Sequence, residues 1–340
     1  MLYLLLTYDY ELFFNKSFAS EEEVLIKPSY SIAKALSEEG VPATFFVDTP
    51  SVLTYRKFGF EDYPRLVKDQ IQFFLKNNHD VQLHVHPIWY HSKYESGEWV
   101  FDNDYYGLKS FSNINEIIRE SKSCLDEMAE GNNNYHCCAF RAGGFCYNPV
   151  KVITESLIDQ GIKIDSSVCK GWKMNTFAQE FDYTHTPRTY NWFFDSDNMF
   201  KDSDKRTDCI FEIPVGTYGV IPNKWILSHC MPKLVYPPKK GLGTPIVQKN
   251  RASIIERIKG PFIPLLFTLD SLHAQALEVI VKYYENKSRN KDIYISVIGH
   301  PKFSSDSCLD NTVSFVRLVK RNCHNTRFVT MKEVASFEKL

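Results

Sequence analysis

Short apolar segments alternate with longer amphipathic segments over most of the chain, and this alternation constrains the fold more than any other feature of the sequence. The apolar runs at 2–6, 43–47 and 293–298 have the length and composition of strands that are covered on both faces. Between such runs, segments including 63–78 and 117–128 carry apolar residues at helical spacing. Strands separated by helices pair in parallel, so the pattern predicts an α/β fold whose sheet is either doubly wound or closed into a barrel.

One long stretch, from about 218 to 264, interrupts the alternation. It contains the turn-forming sequence Pro237-Pro238-Lys239-Lys240-Gly241, so we expect an excursion over the mouth of a barrel. The sequence has no internal repeat, and neither a GxGxxG nor a GxxxxGK[ST] motif follows the first strand. We therefore expect residues 1–340 to form a single domain with an insertion at about 218–264.

Charge and cysteine content restrict the partners and the location of the protein. The formal net charge is −1, which gives no reason to expect nucleic acid or an anionic membrane as a partner. The apolar start ends after six residues and no apolar run of about 18 residues follows, so we expect neither a signal peptide nor a membrane span. The nine cysteines form no CxxC pair. They are interpreted as reduced thiols of a cytoplasmic protein.

Two acidic residues, Asp9 and Glu11, follow the first predicted strand. Residues two positions apart in an extended chain point to the same side, so both carboxylates would lie on one side of the strand end. Such a pair can divide its work, with one group binding a cation and the other acting as a base. Alternatively, one of the two caps the following turn.

Two histidines, His84 and His86, have the same spacing at the end of another predicted strand. Their Cα atoms would lie roughly 6.5 Å apart on one strand face, so that both imidazoles could reach one metal ion. His91, in a following loop, is a weaker candidate for a third ligand, and His79 is expected to be solvated or hydrogen-bonded.

Three further polar residues lie at predicted strand ends. Arg141, before a glycine-rich turn, could hold a carboxylate such as Asp9 in its ionised form, unless it is a surface residue. His300 could be a general acid or could only hydrogen-bond a neighbouring loop. Asp165 could line the site or orient a histidine, and it could equally be a helix N-cap.

Taken in chain order, these residues resemble the motifs of the NodB-homology polysaccharide deacetylases, carbohydrate esterase family four. That family ends its first strand with two acidic residues, of which the first is the base and the second a metal ligand, as Asp9 and Glu11 would be here. Its second motif supplies two metal-binding histidines, its third an arginine that positions the base, and its fifth a histidine that acts as an acid. The matching residues are His84 and His86, Arg141, and His300.

The resemblance covers almost the whole chain, and the segment Ala43-Thr-Phe-Phe-Val47 also matches the sequence of a strand in the family. It implies an irregular (β/α) barrel of the NodB-homology type with about seven parallel strands. It also implies a divalent metal ion, zinc being the expected one, and a carbohydrate substrate from which an N-acetyl or similar acyl group is removed. The acidic pair is Asp-x-Glu where the family has Asp-Asp, and position 88, where the family has its second histidine, is Ile. These departures resemble a divergent branch that serves lipopolysaccharide or capsule biosynthesis.

Two other functions remain open from the sequence. The fold could carry a hydrolase of another C–N bond, such as that of a cyclic amide, or a non-catalytic scaffold. A long groove with exposed aromatic residues, for which Trp89, Trp172 and Trp192 are the candidates, would favour a sugar. A closed small cavity would favour a small amide.

Overall fold

A computed structural model describes residues 1–176, 179–204, 206–220, 242–243 and 263–340 of the chain. The strands, in chain order, are β1 (Leu2–Tyr10), β2 (Thr44–Asp48), β3 (Asp80–Val85), β4 (Lys93–Glu95), β5 (Glu98–Val100), β6 (Ala139–Ala142), β7 (Ile164–Asp165), β8 (Lys173–Asn175), β9 (Glu180–Asp182), β10 (Trp192–Phe194), β11 (Ile210–Glu212), β12 (Thr217–Val220), β13 (Ile263–Leu266), β14 (Ile293–Gly299) and β15 (Thr326–Phe328). The α-helices are α1 (Lys27–Glu38), α2 (Thr49–Lys57), α3 (Asp62–Lys76), α4 (Ile114–Met128), α5 (Val150–Asp159), α6 (Ala274–Lys287), α7 (Asp306–Asn322) and α8 (Met331–Glu338).

A nine-stranded sheet forms the centre of the fold, in the order β10-β11-β7-β6-β3-β2-β1-β14, with β15 also paired to β1. Every pairing from β11 to β14 along this order is parallel, and only β10 runs antiparallel to its neighbour. Just beyond β11, Val215 forms a parallel bridge with Ser296 of β14, and Gly216 N–H donates to the Ser296 carbonyl at 2.8 Å. The two ends of the sheet therefore meet there, which confirms the predicted irregular barrel and excludes an open doubly wound sheet.

The two faces of β1 show how the barrel is filled. Leu4 and Leu6 pack outward in the larger core cluster together with residues of the surrounding helices. Leu5 points to the other face and belongs to a smaller enclosed cluster with Phe46 and Tyr294. Because successive side chains of a strand alternate between faces, the same alternation carries Thr7 and Asp9 to the inside of the barrel.

The helices have the local signals that their sequences suggest. Pro28 is the second residue of α1, which continues from a π-helical turn at Glu22–Ile26, and Gly40, at φ +62°, follows the end of the helix. In α3, Val67, Ile71 and Phe74 are fully buried at helical spacing. Helices α2 and α7 were not predicted from the sequence. Among the described residues, no helix has both the length and the apolar character needed to cross a membrane.

The predicted insertion lies mostly outside the described residues. Its two ends are β12 and β13, which pair with each other in antiparallel fashion. Within it, Leu242 accepts a hydrogen bond from Phe18 N–H at 2.8 Å, and Gly243 forms a bridge with Ser17. This described part of the insertion thus contacts the loop that follows β1. The division of the chain into one domain with this insertion stays a prediction.

Candidate active site

The carboxyl ends of four parallel strands bring the predicted site residues together. In the register of the sheet, Tyr8 of β1 lies beside Gly299 of β14, and His84 of β3 lies beside Arg141 of β6. Since parallel strands end at one edge of the barrel, the residues at and just after these positions converge. The residues that meet there are Asp9, Glu11, His84, His86, Arg141 and His300.

Glu11, His84 and His86 form a compact group of possible metal ligands. Glu11 Oε2 lies 2.6 Å from His86 Nε2 and 3.2 Å from His84 Nε2, and one donor atom from each residue lies within 4.8 Å of the others. His84 Nδ1 contacts the Arg141 carbonyl oxygen at 2.8 Å, which leaves Nε2 directed at Glu11. The structure therefore places His86 in the group despite its spacing from His84, which departs from that of the family.

A second set of contacts holds His86 in this position. Its backbone N–H donates to Asp48 Oδ1 at 2.9 Å, and Trp89 Nε1–H donates to Asp48 Oδ2 at 2.8 Å. A Cβ atom at Gly143 would come within 2.6 Å of both His86 Nδ1 and the Val85 carbonyl oxygen, so a glycine is required where the segments after β3 and β6 approach each other. The Phe14 ring covers the imidazole at a centroid distance of 4.2 Å.

The protonation of the two imidazoles differs because their surroundings differ. Burial lowers the pKa of His86 to about 4, with the neighbouring Glu11 only partly opposing it, so His86 is neutral and can coordinate a metal. Burial also disfavours the charged form of His84, but Asp9 and Glu11 outweigh it and raise the pKa of His84 to about 9. An ion that binds to His84 must therefore displace a proton.

The donor set fits a divalent ion of the zinc type. One carboxylate and two imidazole nitrogens are ligands that zinc accepts, in a site that keeps further positions for water or substrate. Tetrahedral ligands at about 2.1 Å from an ion are roughly 3.4 Å apart. The Glu11 and histidine atoms would need to separate by less than an ångström to reach this spacing.

Asp9 is held as an ionised carboxylate beside the metal-ligand group. Arg141 Nη1 donates to Asp9 Oδ1 at 2.5 Å, while Asp9 Oδ2 faces His84 Nε2 at 3.9 Å and His300 Nε2 at 3.7 Å. Burial alone would raise the pKa of Asp9, but the charges of Arg141 and the two histidines outweigh it, and the pKa lies below the ordinary value. Asp9 can therefore accept a proton at Oδ2.

Arg141 is enclosed within the barrel, not on the surface. Its Nη2 is within hydrogen-bond distance of the hydroxyl oxygens of Thr7, Ser166 and Ser296, at 3.1, 3.0 and 2.9 Å. Its Nε–H donates to the Ser166 carbonyl at 2.9 Å, and its guanidinium lies 4.1 Å from the centroid of the Phe46 ring. These contacts fix the orientation in which Arg141 meets Asp9.

His300 is oriented by Asp270, which the sequence analysis missed. Asp270 accepts from His300 N–H at 2.8 Å, and its Oδ2 contacts His300 Nδ1 at 2.7 Å, so that Nε2 faces Asp9 and Glu11. Burial opposes the charged imidazole, but the carboxylates, Asp270 first among them, raise the pKa of His300. A signal was available, because Asp270 follows an apolar segment, Pro264-Leu-Leu-Phe-Thr-Leu, as Asp9 follows the apolar run at the start of the chain.

Lys302 is a second residue that the sequence analysis missed. Its side chain is buried, and Nζ donates to Glu11 Oε1 at 2.7 Å and to the Leu12 carbonyl at 3.0 Å. The only local signal is its position two residues after His300.

Asp165, the remaining predicted site residue, lies elsewhere. Arg141 bonds to the neighbouring Ser166, and because side chains alternate along a strand, Asp165 points to the outer face of the barrel. Its carboxylate accepts from Ser167 N–H at 3.0 Å and from Ser167 Oγ at 2.7 Å, and it lies opposite Glu212 in the register. The structure thus does not place Asp165 in the site, and its contacts are those of a turn-forming residue.

The predicted aromatic groove is not formed by the tryptophans that were its candidates. Trp89 and Trp192 are both buried, with Trp89 bonded to Asp48 and Trp192 Nε1–H donating to the Met199 carbonyl at 2.7 Å. Trp172 is half-buried against Phe145. His91 stacks on Tyr105 at 3.5 Å and does not join the ligand group.

Comparison with known proteins gives matches at the level of structure. No family model matches the sequence, and no curated protein matches it. A protein assigned as a glycoside hydrolase/deacetylase from Parabacteroides distasonis is 12% identical, with a TM-score of 0.57 over 99% of this chain and 70% of that chain. A protein assigned as a polysaccharide deacetylase from Mycobacterium smegmatis is 13% identical, with a TM-score of 0.48 over 100% of this chain and 91% of that chain. At 12% identity the Parabacteroides distasonis match bears on the fold alone, and it agrees with the barrel that the family resemblance predicts.

Proposed function

We propose that this chain is a metal-dependent hydrolase that removes an acetyl or similar acyl group from the nitrogen of an amino sugar. The observation that carries the proposal is the convergence of Glu11, His84 and His86 with an Arg141-bound Asp9 and an Asp270-bound His300. A non-catalytic scaffold would have no need to bury a base, an acid and a metal-ligand group side by side.

Glu11, His84 and His86 are the residues that would hold the ion. When bound, a divalent ion polarises the acyl carbonyl and makes water more acidic. Asp9, kept ionised by Arg141, accepts the proton of the attacking water at Oδ2. The Phe14 ring, which covers the His86 imidazole, helps to keep other water from the ligand group.

His300 supplies the proton for the leaving group. Its Nδ1 is engaged by Asp270, so Nε2 is the nitrogen that can donate to the departing amine. The raised pKa of His300 keeps this proton in place near neutral pH.

The proposed substrate and metal have separate supports. The family resemblance and the shared fold support an acylated amino sugar as the substrate. We propose that it is a biosynthetic intermediate of a surface polysaccharide and that the reaction takes place in the cytoplasm. Zinc follows from the nitrogen-rich donor set.

Hydrolysis of a cyclic amide is the second candidate, favoured by the burial of the site. Of the six residues that converge there, five are buried, and His300 is the most exposed with 18% of its side-chain surface accessible. A small substrate would enter such a site with less rearrangement than a sugar chain.

An assay of both substrate types would test the proposal. Purified protein, stripped with a chelator and reloaded with zinc, is incubated with N-acetylglucosamine oligomers, with a nucleotide-linked N-acetylglucosamine and with hydantoin. We expect zinc-dependent release of acetate from at least one sugar. Ring opening of hydantoin without acetate release would favour the second candidate, and activity that is unaffected by the chelator would contradict both.

A further inference from the structure

Lys302 places a buried positive charge directly against a proposed metal ligand. Its Nζ contacts Glu11 Oε1 at 2.7 Å, and its ammonium lies within 5.5 Å of the ring centroids of Phe13, Phe14 and Phe303. A lysine is rarely buried among aromatic rings without a specific partner. Here the partner is the carboxylate on which the ligand group depends.

The contacts of the Glu11 carboxylate divide between its two oxygens. Oε2 faces the two ligand histidines, at 2.6 and 3.2 Å, whereas Oε1 accepts from Lys302. The same ammonium also donates to the carbonyl of Leu12, the next residue, at 3.0 Å. Lys302 thus links the Glu11 side chain to the backbone of the next residue and fixes which carboxylate oxygen faces the histidines.

We infer that Lys302 is a positioning residue that restricts Glu11 to a single metal-binding oxygen and weakens the binding of the ion. The inference rests on the proposed metal site. With Oε1 engaged by Lys302, Glu11 binds an ion through Oε2 alone, so the ion keeps a position for water and substrate.

The charge of Lys302 acts on metal affinity in two ways that have the same sign. An ammonium a few ångströms from a divalent cation repels it, and even at a high effective dielectric this repulsion lowers the affinity for the ion by roughly tenfold. In the metal-free protein, the same ammonium stabilises the buried charge of Glu11, in addition to the histidines on its other oxygen. Removing Lys302 therefore both destabilises the metal-free state and relieves repulsion in the metal-bound state.

A merely structural role predicts the opposite result. If Lys302 served only to hold the loop after β1 in place, its loss would leave Glu11 less ordered and would weaken metal binding. The sign of the change in metal affinity therefore separates the two roles.

The test is the variant Lys302→Met, which keeps the length of the side chain among the three phenylalanines. Zinc affinity is measured by competition with a chromophoric chelator, and the coordination of the ion is followed by the visible absorption of the cobalt-substituted protein. We expect zinc to bind at least about tenfold more tightly than to the wild type. We also expect the cobalt spectrum to change as Glu11 gains a second coordinating oxygen.

A matched control is Lys170→Met. Lys170 is also partly buried and lies 4.8 Å from the ring centroid of Trp192, but it donates to the carbonyls of Pro187 and Thr189, away from the ligand group. This variant should bind zinc with the affinity of the wild type and give its cobalt spectrum.

An unchanged or weakened zinc affinity in Lys302→Met, or an unchanged cobalt spectrum, would overturn the inference. If this variant does not fold, Lys302→Gln removes the same charge with a polar replacement and is judged by the same two measurements. Failure of the proposed metal site itself is distinguishable, since the wild type would then bind neither zinc nor cobalt.

Discussion

Two pairs of buried acidic residues lie on opposite faces of the barrel wall. The inner pair, Asp9 and Glu11, is surrounded by the cations Arg141 and Lys302 and by histidines. The outer pair, Asp165 of β7 and Glu212 of β11, lies side by side on paired strands, where its carboxylates accept from Ser167 and from the Val168 N–H.

The pKa values of the two pairs move in opposite directions although both pairs are buried. Burial would raise all four, but the neighbouring cations lower the pKa of Asp9 and of Glu11. In the outer pair, burial prevails and raises the pKa of Asp165 to about 6 and that of Glu212 well above its ordinary value. Burial therefore does not distinguish a functional carboxylate, whereas the charges built around it do.

The largest expected effect separates Asp9 from Asp165. Asp9→Asn removes the proposed base while keeping a polar group against Arg141, so zinc-dependent acetate release should fall by about 10²–10⁴-fold. Asp165→Asn is the matched control, with the same chemical change on the other face of the barrel. Its turnover should remain within a few-fold of the wild type, and an equal loss in both variants would remove the distinction between the two pairs.

A smaller effect is expected from the residue that orients His300. Asp270→Asn removes a carboxylate that raises the pKa of His300, so the imidazole loses its proton at a lower pH. A general acid is active below its pKa, and the alkaline limb of the kcat profile should therefore move to lower pH, by about one unit. A profile with an unmoved alkaline limb would argue against His300 as the acid.

The smallest effect concerns stability and the outer pair. A carboxyl group whose pKa is raised by folding keeps its proton in the folded state after the unfolded chain has lost it. The free energy of unfolding therefore falls as pH rises from about 4 through the folded-state pKa values, about 6 for Asp165. Glu212→Gln should reduce this fall by about 1–2 kcal/mol in urea unfolding between about pH 5 and 8. If the pH dependence of the variant equals that of the wild type, ionisation of Glu212 does not reduce the free energy of unfolding.

Much of the fold could be predicted from local sequence. The apolar run at the start of the chain became β1, and the ATFFV segment became β2, shifted by one residue toward the C-terminus. Helix α1 begins near Pro28 and ends just before Gly40, as those two residues indicate. Closure of the barrel between Val215 and Ser296 could not be read from residue patterns, because it joins segments that are distant in the chain.

The site was predictable where a residue's position on a strand fixes its direction. Glu11 and the two histidines follow this rule, since i, i+2 spacing carries a side chain back to the same face. Asp165 fails it, because the two-residue strand β7 gave no pattern from which to tell inner from outer face. Asp270 and Lys302 act through other residues that are distant in the chain. Asp270 contacts His300, thirty positions later, and Lys302 contacts Glu11, near the opposite end of the chain.

The central claim is that the inner carboxylates and histidines form a metal site, and its most direct test is the zinc content of the protein at equilibrium. Dialysis of the wild type against micromolar zinc should leave close to one ion per chain, as measured by elemental analysis. The variants His84→Ala and His86→Ala should each lose that ion, while Asp165→Asn should retain it. A wild-type protein that stays free of zinc throughout the titration would contradict the claim.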